Sequence, residues 1–304
     1  MKSVRSFDVV RRLQPVTFAF ALLLIATKCG LGSPWPTATP ADSQISEPEA
    51  TLGVPEPLRL RDRGFTQEEN RVSFGFIVEN PNDDLALEGS GYELSVLAED
   101  GTQLGTDSGI IQWVPAGERW GVGGRIALEP EQPGTVARLE INLRSGDAIA
   151  SYPQPKFEVR RIRVFTDSIT SRVTALVNNP YRLPVTDVRV SVVAFGENDT
   201  VVGGSFAYVE VLPGEAPAGV EVQLAPVKAP KRVELYVARS SLSNFVDSEA
   251  RPEGVRVPVV LGQGFSQEGR TLAWAAKIAN PNDGWGHVGL RYHLTAFDKE
   301  GDVL

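Results

Sequence analysis

The stretch Gly64 to Asp83, GFTQEENRVSFGFIVENPND, returns as Gly264 to Asp283, GFSQEGRTLAWAAKIANPND, two hundred residues later. Within it Val72, Phe74, Phe76 and Val78 occupy every second position, and Leu272, Trp274, Ala276 and Ile278 occupy the matching sites. Successive side chains of a strand point to opposite faces, so a period of two places each set on one face, which is expected to be buried. Both copies end in the tetrapeptide Asn-Pro-Asn-Asp, at Asn80–Asp83 and Asn280–Asp283. A divergent copy lies between them, with Val173, Ala175 and Val177 alternating ahead of Asn179-Pro180. The chain therefore reads as a tandem array of modules about one hundred residues long, three in number, the third ending early.

Working outward, a second alternating run follows in each copy: Tyr92, Leu94 and Val96; Val188, Val190 and Val192; Leu290, Tyr292 and Leu294. Each run ends at a polar turn (Glu99-Asp100-Gly101, Gly196-Glu197-Asn198-Asp199, Asp298-Lys299-Glu300-Gly301), as a tight hairpin requires. Val114-Pro115-Ala116-Gly117-Glu118 matches Leu212-Pro213-Gly214-Glu215, and Arg138-Leu139-Glu140-Ile141 matches Arg232-Val233-Glu234-Leu235. Short strands with turns at this spacing predict an all-β fold: tandem immunoglobulin- or fibronectin-like antiparallel β-sandwich modules. The boundaries read as 58–152, 153–250 and 251–304, the last truncated, as in a fragment of a longer protein. The single cysteine excludes a disulfide within the chain, so each module must be held by its core.

Residues 1–32 read as an export signal. Lys2, Arg5, Arg11 and Arg12 precede the apolar run Val16–Ala26, which is short for a membrane span. Cys29 follows that run, where a bacterial lipoprotein carries its lipid-modified cysteine. Lys28 and Ala26 depart from that pattern, and Gly30 and Gly32 offer a small-x-small cleavage site instead, so lipidation, cleavage and an uncleaved signal anchor all stand. Residues 33–57, rich in Pro, Ser, Thr and Ala, read as a disordered linker between a membrane and the folded part. The net charge of −8, with both signs dispersed, excludes the basic stripe that nucleic acid requires.

Candidate sites are few. Asn80, Asn82, Asp83, Asp84 and Glu88 offer oxygens to calcium, but the second module replaces the acidic part with Tyr181-Arg182, which a turn survives and a metal cage does not. Asn80-Pro81, Asn179-Pro180 and Asn280-Pro281 are therefore read as structural turns closed by the asparagine side chain, and no metal or cofactor is expected. His287 and His293 fall on the outward parity of one strand and are read as surface residues, with no nucleophile motif such as Gly-x-Ser-x-Gly to serve. Trp113 and Trp120 flank the Pro-Ala-Gly-Glu turn and are read as core or rim packing. Trp285, set among glycines, is the exposed aromatic that could touch a ligand. Asn198-Asp199-Thr200 is a formal glycosylation sequon.

The order of an early Phe, a strand ending in Asn-Pro, an alternating strand ending in a Leu-Tyr-Asp-x-x-Gly-like turn and then Leu-x-Pro-Gly-Glu resembles the FxLYD family of bacterial exported domains. Leu294 to Leu304 (LTAFDKEGDVL) carries it best. Asn179-Pro180-Tyr181 with Pro184-Val185 resembles the water-stress (LEA14/WHy) sandwich domains. The resemblance spans residues 58 to 304 and implies a sandwich fold with no enzymatic activity, cofactor or defined ligand.

The expected function is that of a non-catalytic, exported, membrane-tethered array acting in binding, spacing or assembly at the cell envelope. Its partner would be an envelope protein or polysaccharide, met by surface complementarity or by β-augmentation at a strand edge. The alternatives are an accessory region of a larger envelope enzyme, or a carbohydrate- or peptide-binding sandwich that uses exposed aromatics.

Overall fold

The computed structural model describes residues 54–129, 134–152, 154–166, 171–224, 227, 229–246, 254–269, 271–287 and 290–304. Cys29, the export signal and most of the linker lie outside them. The described residues form antiparallel sheets, with one 3-10 turn at Glu197–Asp199. In the first module, β1 (Arg59–Glu68), β2 (Arg71–Glu79) and β5 (Arg119–Ala127) make one sheet in the order β1-β2-β5. It faces a sheet of β4 (Gln103–Val114), β3 (Leu85–Leu97) and β6 (Arg138–Arg144), in which β7 (Asp147–Ala150) also pairs with β3. The second module repeats this with β8 (Glu158–Thr166), β9 (Ser171–Asn178) and β12 (Pro217–Leu224) facing β11 (Val201–Leu212), β10 (Val185–Phe195) and β13 (Arg232–Ala238). The third contributes one hairpin, β14 (Val259–Glu268) and β15 (Thr271–Ala279).

The alternating residues build the cores. Val72, Phe74, Phe76 and Val78 are wholly buried, with Tyr92 edge-on to Phe76 at 5.2 Å between ring centroids. The second core is made mainly of valine, Val173, Val177, Val188, Val190 and Val192 among them. The first strand of each module shifts register at the same place: between Leu60 and Asp62, Arg160 and Arg163, and Val260 and Gly262. An extra residue there twists the strand and re-aims its neighbours.

The third module departs from the sequence expectation. Trp274 and Ile278, predicted to be buried, are 43% and 44% exposed, and Leu290, Tyr292 and Leu294 are also exposed. The cause is the sheet they belong to: β15 pairs only with β14 among the described residues, and Leu290–Ala296 forms no strand.

The other face of β2 is covered as well: Ser73 and Ile77 are buried. The second module covers that face. Ser73 Oγ donates to Gly204 O at 2.6 Å and accepts from Gly204 N at 3.0 Å, and Thr66 Oγ1 donates to Val202 O at 2.6 Å. Val201 N donates to Asp62 Oδ2 at 3.1 Å. Ile77, Val193, Phe195 and Val201 make a third apolar cluster between the modules. Glycine permits this approach: a Cβ on Gly75 would lie 2.5 Å from Gly203 O, and one on Gly123 would lie 2.2 Å from Val192 O. Facing sheets ordinarily stand about 10 Å apart because side chains fill the gap; here backbone meets backbone.

The third module meets the second in the same way. Counting back five residues from Asn80 and from Asn179 gives Gly75 and Thr174. Gly75 lies under Val201, and Thr174 Oγ1 donates to Val303 O at 3.0 Å. Val201 pairs with Phe195, and Val303 bridges Phe297, so the two valines hold matching places after their turns. The hairpin ends of the second and third modules thus each seat on the module before them.

Candidate binding cleft

A cleft of about 850 Å³ opens where the first two modules meet. The Pro115–Glu118 turn brings Trp113, at the end of β4, and Trp120, at the start of β5, to one rim. Ser151, Tyr152 and Gln154–Phe157 line one side, and the end of β13 with Arg239 and Ser240 lines the other. Trp113 meets Tyr152 at 5.5 Å between centroids with planes tilted by 56°, and Trp120 meets Tyr236 at 5.5 Å and 58°. Each pair spends part of its rings on the other and leaves part facing the opening; Tyr152 is 55% exposed. Tyr181 stands edge-on to Phe157 at 5.7 Å, with the Arg239 guanidinium 6.0 Å from its ring. Polar groups ring these faces: Glu88, Gln112, Gln154 and Ser240, with Lys156 ion-paired to Glu118. Burial and the Glu234 carboxylate beside it push the Tyr236 phenol up, so its hydroxyl stays protonated and remains a donor.

Docking the second module on the glycine face of the first brings Glu118, from the Pro-Ala-Gly-Glu turn of the first module, and Tyr181, from the asparagine turn of the second, to one opening. Within the first module Glu79 accepts from Arg61 and from Arg119, and these two partners hold its carboxyl down to about 2. The rim of β5 is thereby tied to β2 and β1.

The three asparagine turns share one geometry. Asn80 Oδ1 accepts from the amide of Asn82, Asn179 Oδ1 from that of Tyr181, and Asn280 Oδ1 from that of Asn282. Asn80 Nδ2 donates to Leu85 O, Val114 O and Pro115 O, Asn179 Nδ2 to Leu183 O and Leu212 O, and Asn280 Nδ2 to Trp285 O. Pro81, Pro180 and Pro281 follow in each turn. Asp83 and Asp84 are exposed beside the first of these turns. Among the described residues no group of three or more His, Cys, Asp or Glu converges, and no helix is long and apolar enough to cross a membrane. Trp285 is 55% exposed and far in sequence from the cleft residues. His287 Nε2 lies 3.0 Å from Asn282 Nδ2. His293, read as a surface residue, is instead half-buried, and its Nε2 is shielded from solvent with no hydrogen-bond partner among the described residues.

The tryptophans that line the cleft are those the sequence reading assigned to packing. The signal available was weak: Trp113 and Trp120 bracket one turn, but the second module has no tryptophan at the equivalent place.

No family model matches the chain, and no curated protein does. Among solved structures, the transglutaminase of red sea bream aligns with 60% of this chain at 12% identity and a TM-score of 0.22, and this chain covers 29% of that protein's length. The tandem CBM22-1–CBM22-2 region of Xyn10C from Paenibacillus barcinonensis aligns with 66% of this chain, at 12% identity and a TM-score of 0.13, over 90% of its own length.

Proposed function

We propose that this chain is a non-catalytic binding and spacing element of the cell envelope, exported and tethered through its N-terminus, that holds an extended envelope polysaccharide across the cleft between its first two modules. The observation that carries this reading is the pairing of Trp113 with Tyr152 and of Trp120 with Tyr236 around one opening, edged by amides, carboxylates and one guanidinium. Aromatic faces offer flat apolar contact at small cost in side-chain freedom, and the polar rim fixes orientation. Sugar rings present the complement, an apolar face with hydroxyls at the edge. Because the modules touch backbone to backbone, the two walls keep a fixed spacing and the site is preorganised.

Titration of the intrinsic tryptophan fluorescence with envelope glycan fragments tests the reading. Saturable quenching is expected, with affinity lowered about tenfold by Trp113→Ala. Binding that survives both Trp113→Ala and Trp120→Ala, or a response to peptides alone, sinks it. Mass spectrometry of the mature N-terminus tests the tether: a diacylglyceryl adduct on Cys29 supports lipidation, and a chain beginning at Ser33 removes it.

A further inference from the structure

The cleft continues into a second groove of about 290 Å³, which shares Trp120, Tyr236, Arg239 and Ser240 with it. The outer face of β10 lines part of this groove. Val188, Val190 and Val192 of that strand turn into the core, so Arg189 and Ser191 between them turn outward, toward the first module. Residues opposite one another on neighbouring strands share a face. β11 therefore sets Tyr208 beside Arg189, and β13 sets Ala238 on its other side and Tyr236 beside Ser191. The first module contributes Tyr92, Ser108 and Gln112.

Arg189 is held in place without being neutralised. Its guanidinium lies over the Phe206 ring, 4.1 Å from the centroid. Its Nε donates to Ser191 Oγ and a terminal nitrogen to Gly123 O, both at 3.3 Å. Among the described residues no aspartate or glutamate forms an ion pair with it. The acids nearby are engaged: Asp107 accepts from the Tyr92 hydroxyl at 2.9 Å, Asp187 pairs with Arg291 at 3.8 Å, and Glu234 pairs with Arg232 and accepts from Tyr236. The ionised side chains that line the groove are Arg189 and Arg239, both cations, on a chain whose net charge is −8. Partial burial of an arginine without a counter-ion costs solvation that a bound anion would offset.

We propose that this groove is a subsite for an acidic sugar, whose carboxylate meets Arg189 while its ring rests on the aromatic side chains beside that arginine. It rests on the reading of the cleft as a polysaccharide site and narrows the ligand to an anionic polymer. A planar guanidinium matches a carboxylate with two parallel N–H···O bonds. Tyr208, which is 44% exposed, and Trp120 offer ring faces, and Ser108, Ser240 and Gln112 offer partners to sugar hydroxyls. A sugar acid carries its charge on the ring, so a single unit meets the guanidinium and the aromatic faces together. A phosphodiester lies between units and separates the two.

Isothermal titration calorimetry of the full chain with tetrasaccharides of galacturonic, glucuronic and mannuronic acid, each beside its methyl ester, tests the assignment. At least one acid is expected to bind about tenfold more tightly than its ester, with a margin that shrinks as salt is added. Arg189→Gln should remove the margin and leave ester binding unchanged, which also reports that the variant is folded. Arg189→Lys should restore part of it. The acidic-sugar site is overturned if every acid binds as its ester does, if the preference survives Arg189→Gln, or if a glycerol-phosphate oligomer binds more tightly than the acids. In those cases a Trp113→Ala variant that weakens acid and ester alike leaves the cleft reading standing. A preference for the acid that is lost in Arg189→Gln but untouched by Trp113→Ala supports the arginine groove and sinks the cleft reading. Binding of none of these saccharides overturns both.

Discussion

The first module receives the second on glycine, and the second receives the third on arginine. Gly64, Gly75 and Gly123 let main chain approach main chain, and the contact is closed by the paired hydrogen bonds between Ser73 Oγ and Gly204. At the equivalent place in the second module, Arg163 holds Asp298 at 3.0 Å and also pairs with Asp302, and Arg161 donates to Glu300 O at 2.9 Å. Arg161 takes a left-handed backbone conformation, φ 53°, beside the register shift of β8. One docking geometry is thus reached by two chemistries. The glycine contact sets main chain against main chain and so fixes the relative position of the modules. The arginine contact is half-exposed and depends on charge, and screening and solvation weaken such pairs.

The comparison breaks most sharply at Gly123. A valine there would drive its Cβ into Val192 O and the main chain of Ser205, with only backbone to yield. We expect Gly123→Val to cost about 3 kcal/mol and to split a single calorimetric unfolding transition of the first two modules into two. Gly219→Ala adds a Cβ where the third module docks, two residues before Glu221, the position in β12 that matches Gly123. Its Cβ would meet Thr295 Cγ2, a side chain that can turn away. It should therefore move the melting temperature far less. Equal effects at the two positions would mean that glycine is not what distinguishes the contacts.

Ser73→Ala is the next test in size. Ser73 is wholly buried, and its hydroxyl both donates to Gly204 O and accepts from Gly204 N, so both groups lose their partner in the gap. A loss of about 1–2 kcal/mol in chemical denaturation is expected, with amide exchange at Gly204 accelerated ahead of the core valines. Unchanged protection at Gly204 would remove the hydroxyl from the account of the contact.

How much of this could be read from the chain depends on the range of the physics. Alternation in Val72–Val78 and Val173–Val177 is a local record of burial, so the all-β sandwich class was legible there. The turns at Gly101 and Gly301 were too, because positive φ is a demand on one residue. The same logic misplaced Trp274 and Ile278: their parity is right for a core, but burial needs strands on both flanks and an opposing sheet. The burial of Ser73 and Ile77 was not legible either, since parity within one strand carries no record of a neighbouring module. The cleft was not legible for that same reason. Its walls, Trp113 and Tyr236, are more than one hundred residues apart and meet only through the docking of two modules.

Acid gives the mildest way to part the two contacts. The amide of Asp302 and the Arg163 guanidinium hold the Asp298 carboxyl below its ordinary value. A depressed folded value means that the contribution of Asp298 is complete above the carboxyl's ordinary range and is lost as pH falls through the lowered value. Acidification should therefore loosen the Phe297–Leu304 hairpin end from β8 and β9 while the glycine contact, which rests on Ser73, Thr66 and main-chain groups as well as on Asp62, persists. Hydrogen exchange followed from neutral pH downward, corrected for the intrinsic pH dependence of exchange, should show Gly301 and Leu304 losing protection before Gly204. Arg163→Ala should produce part of that loss already at neutral pH and reduce its further change with acid, the Asp302 amide still holding Asp298. Simultaneous loss at Gly204 and Leu304 would show that the arginine pairs do not set the difference between the contacts, and that both are governed by the shared hairpin geometry alone.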